Sequence, residues 1–432
     1  MKTTLQFFTL FILFSANMIA QTPHMVCGYD HFIKMKKHHD PHWFGVNDQM
    51  FQACKTQRGG GTGGVYTLPV VFHVLYNNGS QNIPDSVIYS QLEVLNEDYR
   101  RLNADAVNTR DIFLPVAADC EIQFALATVD PQGNPTSGIN HVSTDRTEFT
   151  LEVFSTVNTL DEVKHASTGG ADAWDTEHYI NIWICNIALD LPIAQVFGMS
   201  YPPGGLDNWP ANSSAPTTDD DGIVIHYTTV GRNNPVSEDD GTNLNDLGRT
   251  LSHEMGHYLG LRHTWGDEFF GDLCSEDDGI DDTPLCGGGD QYECDTTANT
   301  CDDGTLNDQP DMIENYMDYN QDGCYNMFTE GQKTLMRYAL EELRSGLLQP
   351  LGIKTIHQIE KITWPNPASD ALYVNNQLKG SEYTIYNSAG QIIQSGTVQT
   401  TEWSVTDFPS GLYFIHFEQG EMTYSNRFMV RD

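Results

Sequence analysis

The chain has 432 residues, 39% of them hydrophobic, and a formal net charge of −37 at neutral pH. That length holds two or three domains and a sizeable core. The acidity excludes nucleic acid, whose binding needs a basic face, and suits a secreted protein or a calcium binder. Nine cysteines fit an oxidising compartment. Residues 1–20 read as a signal peptide. Lys2 is the positive start, and Phe7 to Phe14 is an apolar core too short to span a bilayer. The alternative is a buried N-terminal helix. No other segment is long and apolar enough to cross a membrane, so the chain is expected to be secreted or held at a cell surface.

Residues 21–58 differ from the remainder of the chain. They carry five of the fifteen histidines and a net charge of +2 in an otherwise acidic protein. A mildly basic segment ahead of an acidic body can dock on it electrostatically, as a pro-segment would. Cys27 lies in the turn-forming run Met25-Val26-Cys27-Gly28-Tyr29-Asp30. A thiolate there is a good ligand for zinc, and an odd cysteine count leaves one thiol unpaired. A local Cys27–Cys54 disulfide or a plain free thiol are the alternatives. The glycine-rich run from Gln57 to Gly64 reads as an exposed linker, with Arg58-Gly59 the expected cleavage point.

Residues 59–348 form the next unit. Strands are expected at Tyr66–Tyr76, Cys120–Ala127, Tyr179–Asn186 and Gly222–Tyr227. A helix is expected over Asp85–Asn103, where Val87, Leu92, Leu95 and Tyr99 recur at helical spacing behind an Asp85 cap. A short helix is expected at Leu160–His165. A second long helix, capped by Asn245 or Asp246, runs to about Leu259. A closing helix over Phe328–Leu347 has Thr329 as its cap. Strands with a few long helices give an α+β layout.

The helix ending near Leu259 carries the chemistry. His253, Glu254, His257, Gly260 and His263 form H-E-x-x-H-x-x-G-x-x-H. His253 and His257, four apart, leave one helix face. Gly260 permits a left-handed exit, after which His263 can return as a third ligand. Three neutral nitrogens leave the fourth position of Zn²⁺ open to water, and Glu254 beside it is the natural general base. A bare H-E-x-x-H is also met as a satisfied histidine pair. The extended form fixes five positions, and a methionine turn, Asn315-Tyr316-Met317-Asp318-Tyr319, lies downstream of it.

Residues 263–332 contain nineteen acids and no Lys or Arg. Such a stretch compacts only if something neutralises it, and calcium, a hard ion taking six to eight oxygens, is the expected agent. Asp277, Asp278, Ile280, Asp281, Asp282 and Thr283 are the expected ligands. The alternative is a solvated loop held by disulfides.

His253 to Trp265, the methionine turn, and Asn326-Met327-Phe328-Thr329 together resemble the pappalysin family of metzincin metalloproteases, over about Thr67 to Leu347. The resemblance implies a twisted mixed sheet with a backing helix and an active-site helix. It implies one edge strand that receives an extended protein or peptide substrate. By it Met317 sits beneath the metal, and Tyr319 stabilises the oxyanion. Cys27 ligates zinc in a silent zymogen, and Asp281-Asp282-Thr283-Pro284 belongs to a calcium loop. Asp322 lines an S1′ pocket for Arg or Lys, and the disulfides are Cys274–Cys301 and Cys294–Cys324. Cys54, Cys120, Cys185 and Cys286 stay unassigned. Residues 353–432 alternate as short strands separated by turns, a small β-sandwich. The run from Trp364 to Ser369, Tyr386 to Gln391, and Gly411 to Phe414 resemble the C-terminal sorting domain of type IX secretion cargo. That implies export through the type IX machinery; a carbohydrate-binding or adhesion module is the alternative. The function expected is a secreted zinc endopeptidase made as a zymogen. The rival is a catalytically silent surface-binding protein on the same fold.

Overall fold

The computed structural model describes residues 25–27, 64–349 and 362–431, apart from 153–154, 156, 191–194, 207–208, 210–211, 238–244, 267–273, 288–293, 302–307, 388–390 and 420–421. The expected signal peptide and the Arg58-Gly59 cleavage point lie outside these residues.

Seven strands form one mixed sheet. They are β1 (Met25–Cys27), β2 (Tyr66–Tyr76), β3 (Ile122–Leu126), β4 (Ile139–Ser143), β5 (Ile180–Cys185), β6 (Gln195–Ser200) and β7 (Ile223–His226). The order is β1-β6-β7-β5-β2-β3, with β4 also paired to β2. β2 is central because it is apolar on both faces: Leu68, Val70, Val71, Phe72 and Val74 are all buried. β3, β4 and β5 all pair with it in parallel; of these only β5 is buried along its whole length and reads as a nearly continuous apolar run, while β4 alternates toward solvent. β6 runs antiparallel to β7 and parallel to β1, so these two strands, β1 and β6, oppose the sense of the other five.

Helix α1 (Asp85–Tyr99) backs the sheet with Val87, Leu92, Leu95 and Tyr99 buried. It ends at Tyr99 rather than Asn103, and Asp85 is its first residue instead of its cap. Helix α2 (Arg249–Tyr258) carries the histidine motif. Its cap position is Gly248, in a left-handed conformation, and not Asn245 or Asp246. The closing helix breaks up: α3 (Glu330–Tyr338) gives way to a π-turn at Ala339–Leu343 and a 3₁₀ turn at Ser345–Leu348. Its start holds, with a reciprocal capping box between Thr329 and Gln332. A 3₁₀ turn at Thr159–Lys164 stands where the short helix was expected.

Sequence periodicity misses β4 and β6. β6 reads Gln-Val-Phe-Gly-Met-Ser, a glycine inside a run without clean alternation. Residues 362–431 build a three-stranded and a four-stranded antiparallel sheet. Leu372, Ile385, Val405, Ile415, Phe417 and Phe428 pack between them as a core separate from that of the larger unit.

Candidate active site

Helix α2 delivers His253 and His257 one turn apart. The chain then leaves through Gly260 at φ +98°, and His263 returns. The three Nε2 atoms lie 3.1–3.2 Å from one another, and all three rings are buried. Their outer nitrogens decide what these contacts are. His253 Nδ1 is 2.7 Å from the Tyr316 carbonyl, and His257 Nδ1 is 2.8 Å from the Leu261 carbonyl. A carbonyl only accepts, so each Nδ1 carries the hydrogen and each Nε2 presents a lone pair. Burial, together with the neighbouring His263, holds the His253 imidazole down to about 3 and His257 well below its ordinary value, so neither ring is protonated near neutrality. Lone pairs facing each other at this distance need a cation between them. A tetrahedral ion with nitrogens at about 2.0–2.1 Å would set them about 3.3–3.4 Å apart, so the donor set fits a metal.

Around the triad the packing is aromatic and tight. Trp265 stacks on His263 at 4.4 Å between centroids. The Tyr319 ring lies 4.9 Å from that of His263 and 5.7 Å from that of His253. Met317 is fully buried, and a Cβ at Gly256 would fall 2.3 Å from its sulfur, so the turn methionine occupies the space a side chain on α2 would take. Glu254 is buried against β6, where Ser200 Oγ lies 3.0 Å from its Oε2.

A second ring of residues is gathered by Asp98, which belongs to no motif of the sequence. Asp98 on α1 accepts from Ser252 Oγ at 2.6 Å and Tyr316 OH at 2.7 Å, with an Arg249 nitrogen at 3.6 Å. Burial raises its carboxyl, and Arg249, Ser252 and Tyr316 oppose that shift. Tyr316 then presents its carbonyl to His253, so α1 orients that imidazole through one intermediary. Asp98 stands in register with the apolar stripe of α1, and a charge on that face was the available signal.

Asp322 is also buried. Its Oδ2 accepts from the amides of Leu247, 2.9 Å, and Arg249, 3.3 Å, so it does the capping expected of Asn245 or Asp246. Its Oδ1 takes no part in these two bonds. In the acidic loop, Asp278 Oδ1 accepts from the Ile280 amide and the Thr283 hydroxyl, and Thr283 also reaches the Ile280 carbonyl. Asp277 accepts from Gly279, and Asp282 Oδ2 from Gly331 at the start of α3. Asp278 Oδ2 and Asp282 Oδ1 are left buried without a partner. Among the described residues no three carboxylates of this loop, Asp281 included, converge within 4.8 Å.

The structure joins Cys274 to Cys301 and Cys294 to Cys324. Cys120, Cys185 and Cys286 keep buried thiols. The odd count therefore does not single out Cys27, because several cysteines are unpaired. Cys27 itself pairs, through its backbone, in parallel register with Gly198 of β6.

A buried three-histidine cluster able to hold a metal, with β6 packed on Glu254 and the methionine turn against the histidine helix, places the molecule among metallopeptidases of metzincin fold. Residues 165–341 match the pregnancy-associated plasma protein-A peptidase family, and residues 362–431 the secretion system C-terminal sorting domain. Mature mirolysin of Tannerella forsythia, solved with a cleaved peptide, is 39% identical with a TM-score of 0.55, over 66% of this chain and 96% of that one. A promirolysin variant from the same organism is 34% identical with a TM-score of 0.61, over 75% of this chain and 97% of that one. An extracellular metalloprotease of Arthroderma otae is 27% identical over 286 residues, 65% of this chain and 80% of the relative.

The chain belongs to the pappalysin family of metalloendopeptidases. It carries a type IX sorting domain and is secreted or held at the cell surface. No helix among the described residues is long and apolar enough to cross a membrane.

Proposed function

We propose that this metalloprotease is a zinc-dependent endopeptidase made as a zymogen, with Glu254 as its general base. The carrying observation is the convergence of three histidine Nε2 atoms, two of them presenting lone pairs, with the carboxylate of Glu254, the residue after His253, buried under the strand β6. His253, His257 and His263 would hold the ion. When bound, zinc supplies Lewis acidity toward the scissile carbonyl and makes water acidic near neutral pH. Glu254 takes the proton of the attacking water and returns it to the leaving amine. The Tyr319 phenol, packed on two of the ligand rings, donates to the developing oxyanion. An extended peptide lies along β6 by strand addition.

Residues 1–20 act as the signal peptide and 21–58 as the pro-segment. Latency is supported by β1, which pairs with β6 and so takes the strand edge a substrate needs. Cys27, in register with Gly198, is the proposed zinc ligand of the zymogen. Asp322, with one oxygen outside the cap bonds, favours Arg or Lys after the scissile bond through a charge-assisted pair. Calcium at Asp277, Asp278, Ile280, Asp281, Asp282 and Thr283 is supported by the two partnerless buried oxygens. With too few carboxylates converging, backbone carbonyls and water must complete its shell.

The test is digestion of an unstructured protein by the parent and by Glu254→Ala, with zinc measured on both and the new N-termini sequenced. The parent should mature after Arg58 and cut before Arg or Lys. The variant should hold zinc and cut at least about 100-fold more slowly. Equal cutting by both would remove Glu254 from the mechanism, and hydrophobic residues after the cut would remove the role of Asp322.

A further inference from the structure

β6 offers its edge to a peptide and its face to the base. Gly198 and Ser200 are two residues apart, so both face the same side of the pleat. Ser200 is 1% exposed. Its hydroxyl lies 2.8 Å from the main-chain carbonyl of Glu254 and 3.0 Å from Oε2 of the same residue. At Gly198 a Cβ would stand 2.5 Å from Glu254 Cγ and 2.6 Å from Oε1. The carboxylate therefore rests against bare backbone on one side and a buried hydroxyl on the other. Ordinary strand residues at either position would deny it that seat.

We propose that Ser200 is a positioning residue for the reaction. Its hydroxyl and the bare Gly198 fix the Glu254 carboxylate relative to the strand on which the substrate lies. The inference rests on Glu254 being the base. A single strand then sets both the register of the peptide and the place of the group that moves the proton. The base cannot drift from the scissile bond without the strand drifting too. Angstrom-scale misplacement of a reacting group costs up to about 100-fold in rate, which sets the size of the effect.

The experiment uses the full chain after maturation and reads kcat and KM on one peptide for Ser200→Ala, Ser200→Thr, Gly198→Ala and Glu254→Ala, with metal content and Tm on each. Ser200→Ala should lose about 10- to 100-fold in kcat with KM within about two-fold of the parent, and keep its metal and Tm. Ser200→Thr restores the hydroxyl and should recover most of that kcat. Gly198→Ala keeps the hydroxyl but crowds the carboxylate, and should lose kcat in the same manner. The proposal is overturned if Ser200→Ala or Gly198→Ala keeps the parent kcat while Glu254→Ala is inactive. It is also overturned if Ser200→Ala loses metal or Tm in step with activity, since the hydroxyl is then merely structural. Should Glu254→Ala cut like the parent, the base assignment itself has failed, and that result is distinct from both.

Discussion

A methyl group on Gly256 would meet the sulfur of Met317 at 2.3 Å, one residue ahead of His257, a proposed ligand. The contact ties α2 to the turn beneath it, and overpacking a filled site costs about 1–3 kcal/mol. Gly256→Ala should therefore lower Tm and weaken metal retention. An unchanged Tm on calorimetry would mean that Met317 swings clear. At Asp322 the question is charge. Burial pushes this carboxyl up to about 7, against an unfolded value of about 3.9. The folded state then binds the proton more tightly than the unfolded one. Its contribution to stability is complete below about pH 4 and is lost as pH rises toward about 7. Asp322→Asn does not titrate. Urea midpoints of the two proteins should diverge across that window, the parent falling behind as pH rises. A constant difference would mean that Arg249 and the two amides hold the carboxylate ionised throughout.

Between elements, the coupling worth testing runs from α1 to α2. Asp98 gathers Ser252 and Tyr316 by hydrogen bonds and faces the buried Arg249. Tyr316 in turn presents its carbonyl to His253. Removing one member of a buried charged pair costs about 3–5 kcal/mol, because the other is left uncompensated. Losing an outer partner of a metal-bound histidine costs about 10- to 100-fold in metal affinity. Asp98→Ala should show both, the first in denaturant unfolding and the second in competition with a chelator. Normal metal affinity in a destabilised variant would confine Asp98 to packing. Helix α1 itself is legible from Val87, Leu92, Leu95 and Tyr99, whose spacing is local. The role of Asp98 was not legible, because its partners lie on two segments far along the chain.

For the whole molecule, the acidic stretch decides how the lower half closes. Arg262 bonds Glu276, Asp282 holds the first turn of α3, and two disulfides tie the stretch to the methionine-turn region and to itself. Asp278 is buried with an oxygen unmatched, and its carboxyl is pushed well above the ordinary range by desolvation. An ion there would exchange that penalty for coordination. Adding a calcium-selective chelator to the zinc-loaded protein should therefore lower Tm, and calcium should restore it, with the shift growing as ligand concentration exceeds the dissociation constant. An identical melt with and without calcium would leave the loop held by its disulfides and hydrogen bonds alone.

The sequence by itself determined what depends on near neighbours. It contained the histidine triad, the bend at Gly260, the Thr329 cap, the central strand Tyr66–Tyr76 and an all-β C-terminal region after the larger unit, because each is a matter of spacing or composition within a few residues. Tertiary structure decided the rest. Only folding brings β6, a strand with a weak pattern, onto Glu254, sets Asp98 behind His253, and makes Asp322 the cap of a helix that its own flanking residues do not cap. It also left Cys120, Cys185 and Cys286 as buried thiols, which no count of cysteines could foresee. Contacts between distant segments are fixed by the global packing of buried groups, and a local pattern carries no record of them.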